Sequence, residues 1–150
     1  MADAVTFATV LPALLVAHQV ADHWAQTDHQ ATHRGLPGWP GRIACASHVA
    51  TYTLVTAVTV AGLWWVFDLP ISPAGFLAGQ AVSAVTHYWA DRRFTLAALC
   101  TAIGKSGFYR LGAPRPGRDD NPTLGTSAYA LDQSWHWAWL LMASLITAVM

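Results

Sequence analysis

The chain has 150 residues, of which 54% are hydrophobic and 11% are charged, and its eight basic side chains balance eight acidic ones. Charged residues make up about 25% of a typical soluble domain, so this composition argues against an ordinary soluble protein. The length argues against more than one domain, and we treat residues 1–150 as a single polytopic membrane domain.

Four apolar stretches predict membrane-spanning helices at about 5–24, 43–67, 72–89 and 131–149. Each is near the roughly 20 residues that cross about 30 Å of hydrocarbon. No Lys or Arg precedes the first stretch, so we interpret it as a retained helix and not as a secretory signal. The predicted fold class is therefore an all-α membrane protein, a four-transmembrane-helix bundle.

The segment between the third and fourth spans has two parts. Residues 94–108 are apolar but too short to span, which predicts an additional short cytoplasmic or interfacial helix. Residues 110–127 are rich in Pro and Gly and predict a loop.

Cys45 and Cys100 lie in apolar surroundings and are interpreted as small buried side chains, with a metal role for Cys45 as a weaker alternative.

The basic residues all lie on one predicted side of the bilayer. They are Arg34, Arg42, Arg92, Arg93, Lys105, Arg110, Arg115 and Arg118, in the first and third connections. The positive-inside rule places these connections in the cytoplasm and both termini outside a bacterial inner membrane. Because topology explains this charge and the arginine-rich segment lacks interleaved aromatic residues, we expect no nucleic-acid partner.

Small residues on the third span predict a close helix contact. Gly75 and Gly79 are four residues apart and so share one helix face. This spacing supports either a homodimer or an ordinary contact within the bundle. Besides the lipid bilayer, the homodimer is the one partner that the sequence predicts.

Three pairs of ionisable residues stand four residues apart: His18 with Asp22, His87 with Asp91, and Asp132 with His136. Each pair shares a helix face. His48 lies near the start of the second span. The predicted topology brings all seven to the cytoplasmic side, with each Asp nearer the cytoplasm and its His about 6 Å deeper. Intramembrane ionisable residues indicate a functional site.

The residue types predict a divalent metal ion, zinc first, with manganese or iron as alternatives. Seven candidate ligands exceed the four of one zinc ion. One or two ions per chain are therefore expected, either as an Asp-bridged pair or as one ion with Asp–His partners around it. A hydrogen-bonded network, a proton relay and a haem site are the other interpretations, while His29 and His33 are interpreted as surface residues.

The predicted function is a metal-dependent hydrolase acting on a phosphorylated or lipid-like substrate at the cytoplasmic interface. The carboxylates of Asp22, Asp91 and Asp132 would serve catalysis as well as metal binding, and the metal would lower the pKa of a bound water to about 7. The predicted substrate-binding residues are Gln26, Arg92, Arg93 and Gln133. The alternatives are a metal-ion or proton transporter and a small accessory membrane protein with a structural metal.

The chain resembles an uncharacterised bacterial and phage membrane-protein family catalogued as domain of unknown function 3307. The resemblance rests on Leu14–Asp22 with Gln26, on His87–Asp91 with the basic residues that follow, and on Asp132–His136. It covers residues 11–141 and implies a small polytopic inner-membrane protein with no known reaction. Two positions depart from the family pattern: His23 replaces a mostly apolar residue, and Arg92 or Arg93 replaces an expected Lys.

Overall fold

The computed structural model describes residues 3–114 and 126–150, and it contains no strand among them. The helices in chain order are α1 (Ala4–Val20), which continues into a π-helical turn (Ala21–Ala25), α2 (Asp28–His33), α3 (Gly38–Phe67), α4 (Pro73–Asp91), α5 (Phe94–Ala102), α6 (Ser106–Tyr109) and α7 (Ser127–Val149). The predicted all-α class is confirmed.

Four long helices form a closed bundle. α1, α3, α4 and α7 run alternately in opposite directions, and each contacts the next, with α7 returning to α1. Polar side chains define where they begin: Asp3, Ser72 and Thr126 accept from backbone N–H groups in the first turns of α1, α4 and α7. The Thr6 hydroxyl also donates to Asp3, and these hydrogen bonds lower the pKa of the Asp3 carboxyl.

Two helices in the described part of the chain are long and apolar enough to cross a membrane: Ala4–Ala25 and Gly38–Phe67. α4 and α7 do not reach that apolar composition, although they were predicted as the third and fourth spans. The reason is the polar side chains that both helices bury, among them Gln80 and Ser83 on α4 and Ser144 and Thr147 on α7. The prediction of four spans is thus supported for two candidate helices.

The first connection holds more helix than the sequence predicted. Residues 28–33, which include His29 and His33, form α2, whose N-terminus has a Thr27–Gln30 capping box. α3 begins at Gly38, five residues before the predicted start. Pro40 lies in its first turn, where a proline costs no intrahelical hydrogen bond.

The segment before α7 differs from the predicted single interfacial helix. It forms α5 and α6, separated at Gly104, whose φ of 74° ends the first helix in the left-handed region. α7 begins at Ser127, within the stretch predicted as a loop. Residues 115–125 of that predicted loop lie outside the described residues.

Gly75 and Gly79 lie where α4 packs against α7. A Cβ atom added at Gly79 would approach the Thr147 side chain and lie 2.9 Å from the carbonyl oxygen of Ala143, and one added at Gly75 would lie 3.1 Å from the carbonyl oxygen of Thr147. The glycines therefore allow a close contact within the bundle, the second of the two predicted alternatives. A homodimer through them stays an untested prediction.

Candidate metal centre

The bundle brings all seven predicted ligands together at one end. α1 and its π-helical turn supply His18 and Asp22, α3 supplies His48, α4 supplies His87 and Asp91, and α7 supplies Asp132 and His136. Their ligand atoms form three overlapping groups within 4.8 Å, namely His18/His87/His136, Asp22/His48/His87 and Asp91/Asp132/His136. The Asp132 side chain is 22% exposed, and the other six residues are buried. These groups can hold a metal ion.

The tightest part of the cluster surrounds two histidines. The Nε2 atoms of His48 and His87 are 3.0 Å apart, and Asp91 Oδ2 lies 3.1 Å from the first and 3.2 Å from the second. Asp22 Oδ1 lies 3.5 Å from each. Two ligand atoms of a tetrahedral zinc ion with bonds of about 2.0–2.1 Å are about 3.3 Å apart. The histidine pair with either carboxylate therefore already has the spacing of three metal ligands.

Hydrogen bonds at the second ring nitrogen orient two of the histidines. His136 Nδ1 donates to the carbonyl oxygen of Asp132 at 2.8 Å, which leaves a lone pair on its buried, unpartnered Nε2. His48 Nδ1 lies 3.0 Å from the side-chain oxygen of Gln26 when that amide is oriented so that its oxygen faces donors. Such partners fix the tautomer that metal ligation requires.

The other two histidines have no such anchor. The contact between Gln19 Nε2 and His18 Nδ1 is 3.5 Å, too long to fix a tautomer, and His18 Nε2 is buried without a hydrogen-bond partner. His87 stacks on Tyr52 with ring centroids 3.9 Å apart, and its Nδ1 is also unpartnered. Buried polar atoms in native proteins are normally satisfied, so these atoms indicate a missing partner such as a cation.

A π-helical turn shapes the α1 side of the site. Residues Ala21–Ala25 carry Asp22, and the turn closes with a hydrogen bond from the Gln26 backbone N–H to the Ala21 carbonyl at 3.0 Å. π-turns insert an extra residue into a helix and are frequent at functional sites. Here the turn brings both the Asp22 carboxylate and the Gln26 amide to the cluster.

Among the described residues, Arg34 is the basic side chain in contact with the cluster, and it was not among the residues predicted from the sequence. Its NH1 donates to Asp91 Oδ2 at 3.0 Å and lies 2.6 Å from the Gln26 oxygen in the same amide orientation. Arg34 follows α2 in a connection whose path could not be inferred from spacing. The preceding capping signature Thr27-x-x-Gln30 was the one available indication that this region is ordered.

The predicted substrate-binding arginines occupy different positions. Arg92 is 4% exposed, and its guanidinium donates to the carbonyl oxygens of Arg34 and Leu36, so it ties α4 to the first connection. Arg93 is exposed, donates to the Ala31 carbonyl at 3.3 Å and lines a cavity beside the cluster. Arg93 therefore retains access to a substrate, whereas Arg92 contacts the backbone.

Of the predicted glutamines, Gln26 contacts His48 and Gln133 lies at the edge of the cluster. Gln133 accepts from Gln19 Nε2 at 3.0 Å, and its own amide lies 3.4 Å from Asp132 Oδ2.

His23 is exposed, and the rings of His29 and His33 stack at 4.2 Å on α2, outside the cluster. Cys45 is buried against the Tyr88 carbonyl and belongs to none of the three ligand groups.

A cavity of about 300 Å³ opens beside the cluster. It is lined by Arg34, Asp91, Arg93, Leu96, Tyr109, Thr126, Ala128, Tyr129 and Asp132. Two predicted ligands, Asp91 and Asp132, thus face the space that a small molecule can enter. Farther into the bundle, an apolar cluster that includes Val10, Leu14, Val60 and Leu140 fills the core.

Comparison of the chain with known protein families, curated proteins and solved structures found no match.

Proposed function

We propose that the protein is an integral membrane metalloenzyme, a divalent-metal-dependent hydrolase whose centre lies at the cytoplasmic interface of a bacterial inner membrane. The observation that carries the proposal is the convergence of four buried histidines and three aspartates from four helices beside a cavity. The ligand types favour zinc, with manganese or iron as alternatives and one or two ions per chain. We retain the resemblance to domain of unknown function 3307 as part of this proposal.

The electrostatics of the cluster support a bound cation. Three carboxylates lie among four imidazoles, and Arg34 is the one guanidinium in contact with them among the described residues. Buried carboxylates need paired charge, which a divalent ion supplies. A network held by protons alone would leave His18 Nε2 and His136 Nε2 without partners.

The proposal includes four spans, and the reason is the apolar surface of the bundle. Large apolar side chains are exposed on all four long helices, while the interior holds His, Gln, Ser and Thr. The exposed set includes Val5 and Val16 on α1, Leu54 and Val58 on α3, Leu77 and Val85 on α4, and Leu141 and Leu145 on α7. Apolar surface on this scale is typical of contact with lipid or protein. Trp24 and Trp39 at the site end and Trp65 at the other end suit the two interfaces.

The metal ion, Asp132 and the two arginines of the cavity would have separate roles in hydrolysis. A bound divalent ion would acidify a water molecule and polarise the scissile bond of the substrate. Asp132, the most exposed of the seven residues, is at the cavity and would accept the proton of the attacking water. That proton passes to the oxygen of the leaving alcohol as its bond breaks. Arg34 and Arg93 would orient an anionic substrate such as a phosphorylated lipid.

A metal-ion or proton transporter is the second candidate, because polar pairs continue the interior beyond His87. Tyr52 stacks on His87, and its hydroxyl oxygen lies 2.6 Å from that of Ser83. The Thr56 hydroxyl donates to the side-chain oxygen of Gln80 at 2.8 Å. The apolar cluster around Val60 interrupts that route and favours the enzyme. An accessory protein with a structural metal would need a closed site, whereas Asp132 faces a cavity.

The test is turnover by the purified protein in detergent after loading with zinc, manganese or iron(II). We expect hydrolysis of at least one ester among p-nitrophenyl phosphate, p-nitrophenyl acetate and phosphatidic acid in mixed micelles. Asp132→Asn should lower kcat at least 100-fold, because loss of a general base typically costs 10²–10⁴ in rate. The matched control is Asp28→Asn, an exposed aspartate on α2.

Equal turnover in Asp132→Asn and Asp28→Asn would contradict the assignment of the reaction to this site. Metal-loaded protein that hydrolyses none of the three esters, but moves the metal or protons across vesicle membranes, would replace the hydrolase by the transporter.

A further inference from the structure

We infer that the cavity beside the metal centre binds a phosphate group, held between the bound metal and the guanidinium groups of Arg34 and Arg93. The inference rests on the proposed function for its metal ion and specifies the substrate class as a phosphate ester. It assigns the anion-binding role to Arg34 with Arg93, while Arg92 holds the backbone of the first connection.

The lining of the cavity has the donors that a phosphate needs. The residues that line it include two arginines, Arg34 and Arg93, and three residues that carry hydroxyl groups, Tyr109, Tyr129 and Thr126. Arginine presents its N–H groups in a planar fork that matches phosphate oxygens, so donors of this kind favour phosphate over a neutral ester.

The charges around the cavity make phosphate binding dependent on the metal. The two guanidinium groups of Arg34 and Arg93 are offset by the carboxylates of Asp91 and Asp132, so the lining has no net charge. A divalent ion bound by the two aspartates turns this balance positive. Metal and phosphate should therefore each raise the affinity for the other by the same factor.

The cavity is large enough for a phosphate group. Its volume of about 300 Å³ is at the lower end of the range for small-molecule sites. A phosphate monoester presents a compact terminal group with three free oxygens. A diester phosphate has one negative charge fewer, and a choline group would bring a positive charge near Arg34 and Arg93, so we expect such a lipid to bind more weakly.

The test is isothermal titration calorimetry of manganese-loaded protein with inorganic phosphate, repeated on protein freed of metal by a chelator. Titrations with mixed micelles of phosphatidic acid and of phosphatidylcholine separate a lipid headgroup from free phosphate as the source. The variants are Arg93→Gln and Arg34→Gln. The matched control is Arg42→Gln, which removes a guanidinium that lies over Trp39 outside the cavity. Bound manganese is measured on every sample by mass spectrometry.

We expect phosphate to bind the loaded wild type and Arg42→Gln equally. Metal-free protein and Arg93→Gln should each bind at least 10-fold more weakly, the latter with unchanged manganese content. Tighter binding of phosphatidic acid than of phosphatidylcholine identifies a lipid headgroup as the source of the phosphate. Free phosphate that binds as tightly as phosphatidic acid identifies a soluble phosphate compound as the source.

Loaded protein that binds neither phosphate nor phosphatidic acid would overturn the inference while leaving the metal centre intact. The same holds if Arg93→Gln and Arg34→Gln bind phosphate as the control does. Protein that takes up no manganese would overturn the proposed function itself.

Discussion

At the scale of single residues, the second nitrogen of each imidazole decides whether the first can bind metal. His136 and His48 use the same principle with different partners, a backbone carbonyl one turn away and the side chain of Gln26. Because each partner accepts a hydrogen bond from Nδ1–H, the proton stays on Nδ1 and Nε2 keeps its lone pair for an ion. Gln26 was predicted to contact substrate, and its position beside His48 suits it to orient the imidazole of that residue.

Replacing Gln26 by Ala should therefore weaken metal binding without removing a ligand. Outer partners of metal ligands typically contribute 10–100-fold in affinity, and we expect a loss of that size. Competition with a fluorescent zinc chelator measures it. His23→Ala is the control, because His23 is exposed in the same turn. A Gln26→Ala affinity equal to that of the control would remove Gln26 from the site.

Arg92 offers a second prediction at this scale. Its buried guanidinium hydrogen-bonds two backbone carbonyl oxygens of the first connection. Arg92→Gln should lower the free energy of unfolding by about 1.5–3 kcal/mol, the usual contribution of a hydrogen bond to a charged group. Thermal unfolding in detergent gives this value. A fall in kcat with unchanged stability would instead return Arg92 to the substrate site.

At the scale of helices, the spacing of residues accounts for the part of the site that could be predicted. Pairs four residues apart share a helix face in any α-helix, so His87 with Asp91 and Asp132 with His136 could be grouped before the fold was known. Arg34 could not, because it follows a short helix whose direction depends on tertiary contacts. The π-helical turn at Asp22 leaves no pattern in the apolar residues, so it was also missed.

The contact between α4 and α7 gives a prediction that belongs to this scale. Gly79→Ala would place a Cβ 2.9 Å from the Ala143 carbonyl oxygen, and overpacking of this kind costs about 1–3 kcal/mol. Gly62→Ala is the control, because an added Cβ there meets no atom within 4 Å. Replacing a helical glycine by alanine should stabilise Gly62→Ala by about 0.5–1 kcal/mol. Equal thermal midpoints for the two variants would contradict this packing.

At the scale of the whole molecule, the bundle exposes large apolar side chains and buries several polar ones. Buried histidines, serines and threonines share the interior with an apolar cluster around Val60. Hydropathy could predict α1 and α3 as candidate spans because their average composition is apolar, although they bury His18 and His48. It could not establish α4 and α7, since their inward polar residues lower the average that such a test uses.

Labelling in oriented vesicles tests the proposed four-span topology. Asp68 lies between α3 and α4, and Lys105 lies between α5 and α6. If α4 crosses the bilayer, a membrane-impermeant maleimide should label Asp68→Cys and Lys105→Cys from opposite sides. The native Cys45 and Cys100 are buried and should stay silent. Labelling of both positions from the same side would show that α4 does not span.

The most direct test of the central claim is metal content. The protein would be purified in detergent with a tag free of histidine, and bound metals would be measured by mass spectrometry. His87→Ala/Asp91→Ala removes two ligands of the cluster, whereas His29→Ala/His33→Ala removes the stacked histidine pair on α2. The proposed centre predicts one or two ions per chain in the wild type and the α2 variant, and a loss of metal in the cluster variant. A folded wild type that neither contains metal nor takes up added zinc, manganese or iron would contradict it.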